Sequence, residues 1–261
     1  HLLIDSKYEL PLAYQVTKAS ASDVKQMRPI LTEYNAKHFQ IGKRTQYLTA
    51  DKAYDDTKEI KWLYDEHRIH PVIDIRSSWR KEGDESMEGE PNCRQLSPYK
   101  TDNIVYDNRG GVYCICLKTL KYQAMAFGGY EAKQQRLKYI CPVKAYGMSC
   151  QGMSECTHRC KSIWIKISKD RKIFTPIARS SYKWAREYRH RTAVERVNSR
   201  LDVSFGFEQH TIRGMAKMKA RVGIAMIVML AMALGHIKEK RREMMRSLVR
   251  SPTQHVMKKA A

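Results

Sequence analysis

Three groups of side chains stand at spacings that could do chemistry. Tyr188, Arg191 and Glu195, in SYKWAREYRHRTAVERVNSRLD at residues 181–202, are three and seven positions apart, which on a helix places them on one face. A glutamate four residues after an arginine is either an ordinary surface ion pair, worth roughly 0.3–0.5 kcal/mol, or a carboxylate held in place for catalysis. Asp51 follows the short apolar run YLTA and so falls at the carboxyl end of a predicted strand, where the working groups of parallel sheets lie; the same position suits a helix N-cap. Cys141, Cys150, Cys156 and Cys160 are spaced C-x8-C-x5-C-x3-C with His158 among them. Four soft ligands so close could enclose a tetrahedral Zn2+. The tight C-x2-C pairs of strong zinc motifs are missing, so free thiols are the alternative. Cys114 and Cys116 share one face of a predicted strand and are read as core packing, and Cys93 carries no signal.

The chain that must position these groups has 261 residues, enough for one sizeable core with an insertion or for two small domains. Its 48 Lys and Arg against 27 Asp and Glu give a formal charge of +21, which calls for a polyanionic partner, most economically nucleic acid. The basic residues are spread throughout, denser at 179–200 and 236–250, so a broad phosphate-binding surface is expected rather than a basic arm. Residues 1–11 lack the pattern of a signal peptide. The longest apolar run, VGIAMIVMLAMAL at 222–234, falls short of the roughly 18–20 residues that span a bilayer and predicts a buried helix, which disfavours a membrane role. Seven cysteines without a secretory signal predict reduced thiols or metal and a cytoplasmic protein.

In chain order, two apolar runs around DSKYE predict an antiparallel hairpin over residues 1–17. A helix over 24–39 follows, with Pro29 kinking it or delaying its start. Strand 47–50, an amphipathic helix to about 67 and strand 70–75 form a parallel strand–helix–strand unit. From 77 to about 178 the composition turns polar and then β-rich, with strands predicted at 104–106, 112–117 and 122–127 and a turn at DNRGG. Residues 179–250 return to helix, and 251–261 are expected as a disordered tail. The implied domains are 1–76, an insertion at 77–178, and 179–250.

Two of these stretches carry a resemblance. Tyr-x2-Arg-x3-Glu at 188–195 resembles the signature around the last acidic residue of bacterial insertion-sequence transposases of the DDE class, of the YREK type. HLLIDSKYELPLAYQVTKASASD with YLTADKAYDD resembles the ribonuclease-H-like core of the same family, where ADKAYDD stands at the second acidic residue and Ala53 replaces the common Gly. In that family a Lys usually follows seven positions after the Glu; Asp202 stands there with Arg200 nearby, so the basic residue that the resemblance places on DNA is displaced or lost. The resemblance implies an α/β fold, a ribonuclease-H-like mixed sheet flanked by helices, with a β-rich, Cys-containing insertion before the last acidic residue.

It also implies a reaction. Asp51 and Glu195 would be catalytic carboxylates holding two Mg2+ (or Mn2+) ions for phosphodiester cleavage and strand transfer, with Arg191 orienting Glu195 or neutralising phosphate, and Tyr188 and Arg200 supporting or contacting DNA. The partner would be double-stranded DNA, insertion-sequence ends and target, engaged by a homodimer. The family's first Asp would lie on a strand before the hairpin, upstream of His1, since Asp5 reads as the hairpin turn and Asp74 comes in the wrong order. An N-terminally truncated transposase is therefore expected. The alternatives are a non-catalytic, zinc-containing DNA-binding protein and an inactive transposase remnant.

Overall fold

The computed structural model describes residues 1–76, 93–97, 103–156 and 162–248. The chain forms two compact units, one of residues 1–44 and 190–261, the other of residues 45–189.

The first unit begins with antiparallel strands β1 (Leu2–Asp5) and β2 (Leu10–Tyr14), whose register shifts between Leu3 and Ile4, where Pro11 stands opposite Ile4. Proline lacks the N–H a regular ladder needs, so a bulge beside it is the expected accommodation. Asp5 shapes the hairpin turn: its Oδ1 accepts the backbone N–H of Lys7 at 3.0 Å and of Tyr8 at 2.8 Å, the Asx geometry expected of Asp there. Helix α1 (Asp23–Lys37) contains Pro29 without ending at it, and buries Met27, Ile30, Leu31 and Tyr34 at helical spacing. A short helix, α2 (Phe39–Gly42), follows.

The second unit opens with strand β3 (Tyr47–Ala50), a helical segment α3 (Thr57–Lys61) that widens into a π turn at Trp62–Glu66, and strand β4 (His70–Ile73). β3 and β4 pair in parallel, Tyr47 with His70 through Ala50 with Ile73, as the strand–helix–strand pattern predicts. Asp56 starts α3 by accepting the Lys58 N–H at 2.7 Å. Strands β5 (Cys93–Gln95), β6 (Ile104–Asp107), β7 (Val112–Ile115) and β8 (Tyr122–Ala124) form one antiparallel sheet in sequence order. The predicted strand 122–127 is two strands, because β9 (Ala126–Glu131) departs to a second sheet with β10 (Arg136–Ile140) and β11 (Ser162–Lys166). Between these last two lies α4 (Pro142–Tyr146), and the unit ends in α5 (Tyr182–Tyr188). At the DNRGG turn Asp107 Oδ1 accepts the N–H of Arg109 and of Gly111, and Gly110 takes φ of 82°, a conformation that favours glycine. The core gathers residues such as Ile104, Leu137, Tyr139, Ile167 and Phe174.

The chain re-enters the first unit through a 3-10 turn at Arg189–Arg191, then forms α6 (Thr192–Ser199), a π turn at Arg200–Ser204, and α7 (Met215–Lys238). Val197, Met226 and Met229 make its core with Leu2, Ile4 and Tyr14 packed against them. The expectation of a buried α7 is corrected. Only Ala225, Met226, Met229, Ala233 and His236 are buried, whereas Ile227 is 66% exposed and Ile224, Leu230 and Leu234 are exposed too. One face of the helix meets the core of its unit, and the apolar side chains on its other faces remain exposed. By length and composition alone, α7 is long and apolar enough to cross a membrane.

Among the described residues the strands form four separate ladders and not the single mixed sheet expected of a ribonuclease-H-like core. The antiparallel β1–β2 pair lies in one unit and the parallel β3–β4 pair in the other. The disordered tail expected at 251–261 lies outside the described residues.

Candidate functional site

Asp51 stands at the carboxyl end of β3, exposed, in an extended conformation that starts the 3-10 turn Lys52–Tyr54. Both readings of its position hold at once. Its Oδ1 caps the turn by accepting the Ala53 N–H at 2.6 Å, yet the side chain faces solvent and carries no ion pair among the described residues. Ala53 does not adopt positive φ, so the alanine costs this loop no strain. Arg76 straps the loop from beyond the end of β4, donating from Nε to Lys52 O at 2.8 Å and from Nη2 to Ala53 O at 3.0 Å.

Several groups that hold this strand end carry no signal in the sequence. Asp55, its side chain fully buried, pairs with Lys172 at 3.1 Å and accepts the Arg76 N–H at 2.8 Å. Asp74, just past β4, pairs with Lys52 at 3.1 Å. Arg179 is buried and donates from Nη2 and Nε to Ile73 O, at 3.0 and 3.2 Å, and from Nη1 to Ile173 O. Burial pulls its pKa down to about 10 against the charges of Asp55, Asp74 and Asp170, which leaves it cationic at neutral pH. These cations offset carboxylates that would otherwise repel one another at the strand ends.

Tyr188 belongs to the same unit, on α5, with its ring stacked on Trp184 at 4.6 Å. Ser181 caps that helix, accepting the Trp184 N–H, and Thr49 Oγ1 reaches Glu187 O at 3.5 Å.

Arg191, Glu195 and Arg200 fall in the other unit. Arg191 donates from Nη1 to Glu195 Oε1, the i, i+4 pair the spacing predicts, with the glutamate side chain 54% exposed. Ala193 and Val197 anchor the opposite face of α6. Arg200 is committed inward. Glu9, only 2% exposed, receives Arg200 Nη2 on Oε2 and Arg196 Nε on Oε1 at 2.7 Å, with Arg246 at 3.5 Å, while Arg200 Nη1 donates to Glu9 O at 3.0 Å. Burial lowers the Arg200 pKa and Glu9 opposes the shift.

The cysteines come together more than their spacing suggests. Cys141, Cys150 and Cys156 line one small cavity, and Cys114 and Cys116, expected as core packing, line it with them. Cys160 and His158 lie outside the described residues. Cys116 is buried, and hydrogen bonds from the Thr119 hydroxyl and from the backbone N–H of Thr119, Lys118 and Gly152 lower its thiol pKa to about 6. Burial, then the charges of Cys141, Cys150 and Cys156, push Cys114 up to about 12. All the described cysteines are free thiols. Among the described residues no group of three or more His, Cys, Asp or Glu side chains is already arranged around a metal position.

Comparison with curated proteins and with solved structures finds no match. The family model of the transposase DDE domain, in contrast, matches residues 1–231, a span that takes in both resembled stretches, ADKAYDD and Tyr188 to Glu195, and the chain belongs to that family.

Proposed function

We propose that the chain is the catalytic region of an insertion-sequence transposase, which cleaves DNA at transposon ends and joins them to target DNA. The observation that carries this is Asp51, an exposed carboxylate fixed at the carboxyl end of a parallel strand by Ala53 and the Arg76 strap, in a chain of the DDE family.

A divalent ion suits the donors present. Asp51 and Glu195 offer hard, exposed carboxylate oxygens, the ligand type Mg2+ and Mn2+ prefer, with coordination left over for water and phosphate. Bound metal would activate the attacking hydroxyl and stabilise the leaving oxygen. The chain's own contribution is positional. The Ala53 N–H holds one Asp51 oxygen and so fixes the other's direction; Arg191 holds one Glu195 oxygen in the same way and adds positive charge for phosphate. Tyr188 adds an aromatic ring for DNA, and Arg200 supports α6 by tying it to Glu9. Asp5 shapes its hairpin turn and Asp74 pairs with Lys52; the proposal assigns catalysis to Asp51 and Glu195 alone.

The test is metal-dependent nicking of supercoiled DNA by this chain and by one extended N-terminally, each as wild type, Asp51→Asn and Glu195→Gln. Nicking that needs metal and is lost in both variants, with DNA binding retained, is the expected result. Undiminished nicking in either variant would refute the assignment of that carboxylate.

A further inference from the structure

The thiol cavity is left unexplained by DNA cleavage. It lies wholly in the 45–189 unit, has a volume of about 20 Å3, and is lined by Cys114, Cys116, Cys141, Cys150 and Cys156. That space admits one water-sized occupant. A free cysteine packs as a small hydrophobe, and Cys114 and Cys116 do pack at the core, but packing alone does not call for five thiols around one such space.

Three geometric features mark the cavity as a site. First, Cys116 Sγ and Cys150 Sγ stand 3.8 Å apart. Two thiolates on a tetrahedral ion at about 2.3 Å are separated by about 3.8 Å, nearly twice the length of a disulfide bond. Second, the tight turn after β7 wraps its backbone around one sulfur: Cys116 receives the N–H of Lys118 and Thr119, with Leu120 at φ of 55° closing the turn. Gly152 adds its N–H from across the cavity, and a Cβ there would lie 2.9 Å from Leu117 N and 3.2 Å from Cys116 Sγ. Only glycine lets the backbone come so close. Third, Asn103 is 7% exposed and lines the cavity with its Oδ1 unpartnered, while its Nδ2 lies 3.8 Å from Cys156 Sγ. That amide N–H is placed to stabilise a thiolate on Cys156.

We propose that this cavity is a structural site for a soft divalent ion, Zn2+, with Cys116 and Cys150 as the anchoring pair and two of Cys114, Cys141 and Cys156 completing a thiolate set. Donor softness selects zinc over the Mg2+ of the catalytic reading. The thiols surround the space without closing into a tetrahedron, and binding the ion would supply that step. It would clamp the β7–β8 hairpin to the segment after β10, joining two parts of the insertion. The inference does not rest on the transposase reading, and its readouts use no DNA.

Untagged protein from zinc-supplemented medium is analysed for metal per chain, and the zinc is then exchanged for Co2+. The expected results are one zinc per chain and an absorption spectrum with thiolate-to-cobalt charge transfer and intense tetrahedral bands. The Cys116→Ser, Cys150→Ser double variant should lose the stoichiometric zinc, while Cys93→Ser, whose thiol does not line the cavity, keeps it. Because the double variant can fail to fold, the cobalt spectrum of the unmodified chain is the deciding measurement. Its lack of thiolate bands would overturn the proposal, as would full zinc retention in the double variant.

Discussion

Glu9→Gln is expected to destabilise the 1–44 and 190–261 unit without weakening DNA contacts. The substitution keeps the shape and removes the charge of a carboxylate that is 2% exposed and faces three arginines. Removing one partner of a buried ion pair costs about 3–5 kcal/mol, because the other charge is left behind. Here Arg200 is that charge, its side chain only 16% exposed. It keeps the bond to Glu9 O at 3.0 Å, which lowers the loss. Arg196 and Arg246 are 52% and 60% exposed, and each adds under about 1 kcal/mol. The net expectation is about 3 kcal/mol, a fall of roughly 10 °C in the melting midpoint for a unit of this size. All four tryptophans fall between residues 45 and 189, so helical circular dichroism should report the loss and tryptophan fluorescence should report the other unit. Arg200→Met supplies the contrast. As a partner of Glu9 it should lower stability and leave the salt dependence of DNA binding unchanged; as a phosphate contact it would reduce the slope of log K against log salt by about 1. A Glu9→Gln shift below about 1 kcal/mol, or a reduced slope with unchanged stability in Arg200→Met, would refute the structural role.

Other substitutions probe the strand ends and the insertion. Arg179→Met leaves Ile73 O and Ile173 O without their donor and should cost about 2–6 kcal/mol in urea unfolding, at about 1–3 kcal/mol per orphaned group. Gly110→Ala, at φ of 82° with its new Cβ 3.3 Å from Ile173 O, should lose roughly 1–2 kcal/mol; an unchanged midpoint would mean the turn is not held. Burial, then Lys183, lowers the His70 pKa. Above the ordinary histidine value of about 6.5 both states are neutral and stability is flat in pH; below it the unfolded chain takes the proton that folded His70 resists, so stability falls as pH drops. His70→Phe should flatten that acid limb in a pH series of unfolding midpoints.

What can be read from the sequence is local. Tyr47–Ala50 and His70–Ile73 pair in parallel as their spacing implies, and DNRGG makes its turn because Asp107 and two glycines are sufficient for it. Asp5 likewise needs only its next three residues. Glu9 is illegible because its role depends on arginines 187 to 237 positions away. Cys114 and Cys116 pack at the core as their strand spacing implies, but their place on the cavity depends on a segment beginning 25 residues later. Composition misleads at α7, where apolar content does not amount to burial. Burial needs a neighbour on every face, and the faces that carry Ile224, Ile227, Leu230 and Leu234 stay exposed.

The same distinction governs how the charge of +21 acts on DNA. A buried basic side chain already held by a carboxylate or carbonyl of the protein is poorly placed to neutralise phosphate, so counting Lys and Arg overstates the binding footprint. Arg171 is 9% exposed and pairs with Asp65, Arg179 is spent on two backbone carbonyls, and Arg200 on Glu9. Lys238, Lys240 and Arg242 are exposed after the core-facing part of α7. Counterion release then predicts a division. Replacing those three together by Ala should lower the salt slope by up to about 2.7, at about 0.9 for each phosphate no longer neutralised, with little effect on folding. Arg171→Met should lower stability and leave the slope where it was. Equal slope changes from the two substitutions, per charge removed, would show that net charge rather than exposure sets the interaction, and the broad-surface reading would have to give way to a general electrostatic one.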